Sequence, residues 1–479
     1  MKKALLFLII FCSVCTFPVV AQQIVEGHYG GQKQDVAYSA AATTDGGYII
    51  TGLTMSMVDS NGDIIVIKTN AHGDTMWTRI YGGPLLEGGN FVMQTLDGGY
   101  MVSGHTQDFG ARDCDAYLMK LDQYGNSQWI KAYGGDSDDI SYSVVELSGG
   151  GYLIGGMTAS YGDTGTSLNK HVYLIKTNSL GDTVWTRVYA GPGNEECMSV
   201  TGTPDGGFLA VGYSSSWGNG EDDGWLLRLN ANGDTLWTRL YKYPGDTHFS
   251  KILPTADNGY IIAGNATTTT GGMVQGLAVK LDAAGNEQWR KTYSDPAANI
   301  AFHDVAQLPA GNYIFTGISY ATPTTGNVYI LTSDASGTMM SDEVYGGTNS
   351  FAFAIAVQGN NSYLVAGGAA KYGDPAGDLY YMEIDNTIAA HVPTVTAESP
   401  RLYPNPVRQQ PAIIILPTSH AYQSVSLDVI ALDGKVIYSK DNILAKDILI
   451  DRNNFPPAQY LFRITCTDGQ VYKGRFVVE

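Results

Sequence analysis

Five tryptophans, Trp77, Trp129, Trp185, Trp237 and Trp289, stand 52, 56, 52 and 52 residues apart, each followed four residues later by a tyrosine. A period of about 50 residues signals one supersecondary unit repeated, because a unit that small cannot bury its apolar face alone. Turns such as Asn70-Ala71-His72-Gly73 and Asp122-Gln123-Tyr124-Gly125 precede the tryptophans. Farther upstream come Asp45-Gly46-Gly47-Tyr48, Asp97-Gly98-Gly99-Tyr100 and Asp205-Gly206-Gly207-Phe208. The first turn type suits an Asn or Asp cap with Gly at its fourth position, the second a hairpin needing positive φ. Between the turns, β-branched and aromatic residues alternate, and no segment keeps a helical period. The first copy therefore reads as strands near 36–43, Tyr48–Thr54, Asp63–Thr69 and Thr75–Tyr81.

Four short strands per copy describe a β-propeller blade. The aromatic after the first hairpin recurs at Tyr48, Tyr100, Tyr152, Phe208, Tyr260, Tyr313 and Tyr363, which gives seven copies. The seventh stops near Asp385-Asn386, short of a fourth strand, while residues 23–31 end in Tyr29-Gly30-Gly31 like Tyr81-Gly82-Gly83. The expectation is an all-β chain, with a seven-bladed β-propeller over residues 22–386. Its N-terminal strand would close the ring beside residues 378–384.

The ends carry other signals. Met1-Lys2-Lys3, an apolar run from Ala4 to Cys15 and Val19-Val20-Ala21 read as a signal peptide cut after Ala21. Its removal takes away two lysines, so the formal charge goes from −18 to −20. Nucleic-acid binding calls for a basic footprint and is excluded on that ground. No later stretch approaches the ~20 apolar residues of a membrane helix. Cys114, Cys197 and Cys466 are too few and too far apart for a disulfide framework, and are expected to be buried apolar residues. Residues 387–399 lose the repeat and gain Pro, Thr and Ala, as a linker does. Residues 400–479 return to strand patterns at 425–432, 436–439, 460–465 and 471–478 around Asp433-Gly434-Lys435.

The Asp-Gly-Gly-Tyr … Trp … Tyr-Gly-Gly pattern over residues 23–386 resembles quinoprotein-like repeats, especially those in secreted proteins of the Bacteroidetes. The tail resembles the type A C-terminal sorting domain of the type IX secretion system, a small β-sandwich. That resemblance rests on Leu402-Tyr403-Pro404-Asn405-Pro406, Leu432-Asp433-Gly434-Lys435-Val436 and Tyr460-Leu461-Phe462-Arg463-Ile464. Two departures are Ala458-Gln459, where a Gly usually precedes the Tyr, and the final Glu479. The resemblance implies the type IX machinery as a partner, with a location outside the cell or on its outer surface. Asp74-Thr75-Met76, Asp182-Thr183-Val184 and Asp234-Thr235-Leu236 resemble an O-glycosylation signal of the same group, at one repeat position that also has a structural use.

No metal-ligand spacing, nucleophile elbow or phosphate loop occurs, so no catalytic residue is singled out. Length variation falls in the second-to-third-strand loops, such as 160–171 and 214–223, which share a face with the connections between copies. Binding on a rigid scaffold concentrates in such loops. At one position in them stand Phe109, Tyr161, Trp217 and Tyr372, each followed by Gly, as a surface for sugar rings or as loop buttresses. Six residues after the fourth-strand Tyr come Asp35, Glu87, Asp139 and Glu195, then Thr247, Asn299 and Phe351. The four acids are either strand-start caps or an arc for calcium or a cationic ligand. The leading expectation is a monomeric, non-enzymatic binder of a glycan or extracellular protein. The alternative is a carbohydrate-active, endoglucanase-like or other hydrolytic enzyme.

Overall fold

The computed structural model describes residues 23–385 and 401–478. Residues 32, 57–60, 111–112, 163–168, 218–220, 269–271, 323–325, 346–348, 360–361 and 371–376 are excepted from the first span. From the second, 404–411, 416–424, 432–434, 444–446 and 467–470 are excepted. The expected signal peptide, the linker, Pro404-Asn405-Pro406 and most of the Leu432–Lys435 turn thus lie outside the described residues. The chain divides into two units, residues 1–389 and 390–479. Among the described residues there is no α-helix, and no helix long and apolar enough to cross a membrane.

Among its described residues the first unit contains seven four-stranded antiparallel sheets. The first is Asp35–Ala42, Tyr48–Thr54, Asp63–Thr69 and Thr75–Tyr81, ordered as in the sequence. Sheets two to six repeat that order over residues 87–133, 139–189, 195–241, 247–293 and 299–345. The seventh takes Ser350–Val357, Ser362–Ala369 and Asp378–Asp385 from the last copy and Gln23–Tyr29 from the beginning of the chain. Gln23–Tyr29 pairs with Asp378–Asp385 through Val25 opposite Glu383 and Tyr29 opposite Leu379.

Each sheet shares an apolar core with the next. Ile49, Ile64 and Val66 of the first meet Val92, Tyr100 and Val102 of the second. Five further cores continue in order. The last joins Leu364, Leu379 and Tyr381 of the seventh sheet to Ala37, Tyr48 and Ile50 of the first. Burying each such side chain is worth about 1.5–3 kcal/mol. First strands also meet across the assembly, because Lys251 Nζ of the fifth sheet lies 5.1 Å over the Phe91 ring of the second. Every first strand carries a β-bulge at one position, passing over Tyr38, Asn90, Tyr142, Met198, Ser250, His303 and Phe353.

The repeated residues are a clasp between neighbours. Tyr133 Oη donates to Gly181 O at 2.5 Å and Tyr293 Oη to Gly337 O at 2.8 Å, both turn glycines of the following sheet. The tryptophan of the same strand lies against that glycine, since a β-carbon on Gly125 would stand 3.0 Å from Trp77. With φ at +81°, Gly125 also needs glycine's backbone freedom. Trp77 meets the Tyr100 ring edge-on at 5.9 Å. Between the seventh and first sheets the donor is Tyr381, whose hydroxyl reaches Gly73 O at 2.9 Å. Asp74, Asp182 and Asp234 close the Asn-led turns by accepting from Asn70, Asn178 and Asn230.

On the same face the Asp-Gly-Gly hairpins, and Asp257-Asn258-Gly259 in the fifth sheet, hold buried cations. Lys68, Lys120 and Lys280 reach Asp45, Asp97 and Asp257 at 2.8, 2.9 and 2.9 Å, and Arg228 reaches Asp205 at 2.6 Å. Although burial pushes the other way, bonds from Thr95, Lys120 and Gly99 hold the Asp97 carboxyl down to about 2. Asp97→Ala leaves Lys120 with Leu121 O at 3.2 Å and is expected to cost about 1–3 kcal/mol at pH 7. A depressed acid stabilises above its unfolded pKa. The parent's advantage over the variant should therefore vanish as pH falls through about 2, which paired urea melts would measure.

In the second unit, Arg401–Tyr403, Ala412–Ile415 and Asp447–Ile450 form a three-stranded sheet. Val436–Ile443, Val425–Ala431, Ala458–Cys466 and Val471–Val478 form a four-stranded one. Ile414, Ile448 and Ile450 share one core with Leu427, Phe462 and Phe476. Cys114, Cys197 and Cys466 are all buried.

Candidate functional site

In every sheet the first and third strands start, and the second and fourth end, at one face, where the variable loops lie. Phe109, Tyr161 and Trp217 stand there at matching positions of the second, third and fourth sheets, 44%, 42% and 43% exposed. Each leans on the third-strand aromatic of its own sheet. The ring separations are 6.5 Å to Tyr117, 5.8 Å to Tyr173 and 5.1 Å to Trp225. Tyr161 Oη donates to Gly134 O at 2.6 Å, and Lys242 Nζ holds Trp217 O at 2.7 Å. One side of each ring is thus a buttress and the other faces solvent. Tyr372 lies outside the described residues.

Asp35, Glu87, Asp139 and Glu195 are buried, with at most 1% exposure. Their partners repeat. Gly83, Gly135 and Gly191 donate backbone N–H to Glu87, Asp139 and Glu195 at 3.0, 2.8 and 2.8 Å, and Gly31 does so to Asp35. Hydroxyls ending the second strand add to these, Thr106 to Glu87 and Ser214 to Glu195, both at 3.2 Å. Ser56 and Ser160 reach Asp35 and Asp139 at 2.6 and 2.7 Å. Each acid is therefore capped at its own junction. Among the described residues no group of three or more His, Cys, Asp and Glu is placed to hold a metal. The bulge also corrects the alignment of copies six and seven. Ile300 and Ser350 pair where Asp35 does, so Asn299 and Phe351 lie one residue out of register.

A second constellation was not found by sequence reasoning. The residue after the capping position is Val36, Gly88 and Ile140 in the first three sheets but Glu196 and His248 in the fourth and fifth. Glu196 is 5% exposed. Lys170 Nζ lies 3.0 Å from it, and the hydroxyls of Tyr142 and Tyr213 are hydrogen-bonded to it. Burial first, and the nearby Glu196 charge second, push both phenols well above the usual tyrosine range, so they stay neutral donors. His248 packs on Tyr213 at 4.6 Å, with Nε2 2.9 Å from Asp222 Oδ2. Lys170 and Asp222 occupy one repeat position, just before a third strand, and each reaches into the following sheet. Local departures from a repeat's apolar pattern are expected at functional or strained places. A sequence signal existed, since aligning the copies on the Trp exposes Glu196 and His248 among apolar equivalents.

A shallow cleft of about 330 Å³ lies elsewhere, among Arg239, Tyr241, Asn286 and Arg290. Arg239 itself bonds Gly285 O and Asn286 there, so its polar groups already have partners.

No family model matches the chain, and no curated protein matches it in sequence. Among solved structures it is similar to a protein of unknown function from Dyadobacter fermentans, with TM-score 0.43 and 13% identity over 77% of this chain and 100% of that one. It is also similar to Sqt1 from Chaetomium thermophilum, with TM-score 0.42 and 12% identity over 72% and 83%.

Proposed function

We propose that the first unit is a seven-bladed β-propeller that binds a carbohydrate chain on its loop-bearing face, and that the protein works outside the cell. Residues 1–21 would direct export. Residues 400–479 would act as a type IX sorting domain that engages the secretion machinery, leaving the protein released or held on the outer surface. The observation that carries the binding reading is that the departing residues Glu196 and His248 share one face with the exposed rings. Glu196, Tyr213 and Trp217 all belong to the fourth sheet, with His248 beside them and Tyr161 and Phe109 on the preceding sheets. Half-exposed rings and a framed carboxylate on one face suit sugars, whose rings stack on aromatics and whose hydroxyls donate to acids.

The test is to screen the mature chain against insoluble and soluble polysaccharides, measuring retention and release of reducing ends. Retention without release supports binding, and no retention anywhere ends the reading. Hydrolysis is the second reading, favoured by one observation: Glu196 is nearly sealed from water. Release abolished by Glu196→Gln would establish it. Trp217→Ala is expected to weaken retention by about 1–3 kcal/mol, as loss of a stacking anchor does. Its melting temperature should fall only slightly, because the ring is 43% exposed. Unchanged affinity with a large loss of stability would make Trp217 a buttress alone.

A further inference from the structure

The third strands supply acids that sequence reasoning passed over, and they face the capping acids across a glycine. A β-carbon on Gly82 would overlap Asp63 Oδ1 and stand 2.9 Å from Glu87 Oε2. One on Gly134 would overlap Asp115 Oδ1 and stand 2.5 Å from Asp139 Oδ2. One on Gly30 would overlap Asp378 Oδ1 and stand 2.9 Å from Asp35 Oδ2. Three successive junctions, seventh to first, first to second and second to third, therefore hold two carboxyls apiece. All six residues are at most 7% exposed. Asp108 also lies within hydrogen-bonding reach of Glu87. Two carboxyl groups can share a hydrogen bond only if one of them carries the proton.

The next two junctions vary the theme. His171 replaces the third-strand acid beside Glu195, with Nδ1 3.1 Å from Oε2 and both side chains fully buried. Thr247 replaces the capping acid beside Asp223, and Lys242 approaches to 3.8 Å. Where the chain supplies a basic partner, it supplies one acid. Where it supplies two acids, the groups bearing on the capping acid include hydroxyls, backbone amides and further acids. Around Asp35 these are Ser56, Thr54, Gly31, Met55 and the facing Asp378. Around Glu87 they are Gly83, Asp108, Thr106, Asp63 and the Tyr117 ring. Around Asp139 they are Thr158, Ser160, Gly135, Asp138 and Asp115, with Tyr161 and Tyr173 beyond.

We propose that each of the three acid–acid junctions is held by a shared proton, so that successive sheets are bound more firmly in a mildly acidic exterior than in an alkaline one. Two charges facing each other across one glycine in a dry setting repel, and sharing one proton would remove the repulsion and add a charge-assisted bond. Burial pushes Asp35, Glu87 and Asp139 above the usual carboxylate range, against the donors that cap them. A raised folded pKa means stability that is complete at low pH and lost as pH rises through it, the reverse of Asp97. Nothing in this depends on the carbohydrate reading.

Infrared spectra of the mature full-length chain, taken in chelator across pH 5–8, test it through the C=O stretch of un-ionised carboxyl groups. That band is expected to survive above the ordinary carboxylate range, to disappear on unfolding, and to lose intensity in Glu87→Gln and in Asp139→Asn. The exposed control Asp113→Asn should leave it unchanged. In Glu87→Gln the amide donates permanently, so its melting temperature should vary less between pH 5 and pH 8 than the parent's. Absence of the band in folded protein at pH 6 would overturn the proposal. So would a band that millimolar calcium abolishes while raising the melting temperature, since a cation rather than a proton would then hold the pairs.

Discussion

Deleting residues 22–31 is expected to destabilise the first unit by more than about 4 kcal/mol, a loss beyond what most single changes cause. The strand Gln23–Tyr29 is far from its partner in sequence, yet it covers one whole edge of Asp378–Asp385. Its loss would strip a ladder of hydrogen bonds worth about 1 kcal/mol each. It would also remove the Tyr29 ring stacked 6.4 Å from Tyr381 and the Glu26 acceptor 2.9 Å from Tyr380 Oη. Tyr381 then loses the packing that aims its hydroxyl at Gly73 O, the clasp between the last and first sheets. The exposed edge would further invite pairing between molecules. Thermal and urea melts of the deletion should show an early, broad transition with aggregation. A single transition at the parent's temperature would mean that the strand is an accessory.

Truncation after Ser399 should have the opposite profile, with near-complete loss of export and no loss of stability in the first unit. Among the described residues the tail's strands pair with one another, and its apolar core draws on residues between 414 and 478. In a host with a type IX system, fractionation should find the truncated chain retained in the periplasm, with the parent on the surface or in the medium. The purified truncation should melt where the first unit of the parent melts. Efficient appearance outside the cell would remove the sorting role from residues 400–479.

The architecture was legible because its signals are local. Trp77, Tyr81 and Gly125 recur since the same clasp serves several junctions, and Asp45 recurs where a hairpin caps itself and holds a buried cation such as Lys68. The N-terminal strand was legible through Tyr29-Gly30-Gly31, although Tyr29 does not repeat the role of Tyr81. Tyr381 performs it, and Tyr29 supports Tyr381. Register failed where a bulge, rather than spacing from a tyrosine, sets the pairing, as at Ile300 and Ser350. The site was less legible because its members come from different copies. Lys170 and Glu196 are 26 residues apart on two sheets, and Asp222 and His248 repeat that separation one sheet later. The partners of Glu87 were hidden in a similar way. An acid at the start of a strand looks solvated until the fold sets Asp63 across Gly82 from it.

Closure of seven sheets into one ring is tested most directly by amide hydrogen exchange of the mature chain, read residue by residue across 23–29 and 378–385. If the two strands form the outer half of the seventh sheet, the inward amides of Gln23–Tyr29 should exchange only with global unfolding, at the rate of the cores between sheets. Exchange of residues 23–29 at the rate of an unstructured peptide, beside a protected Asp378–Asp385, would contradict it.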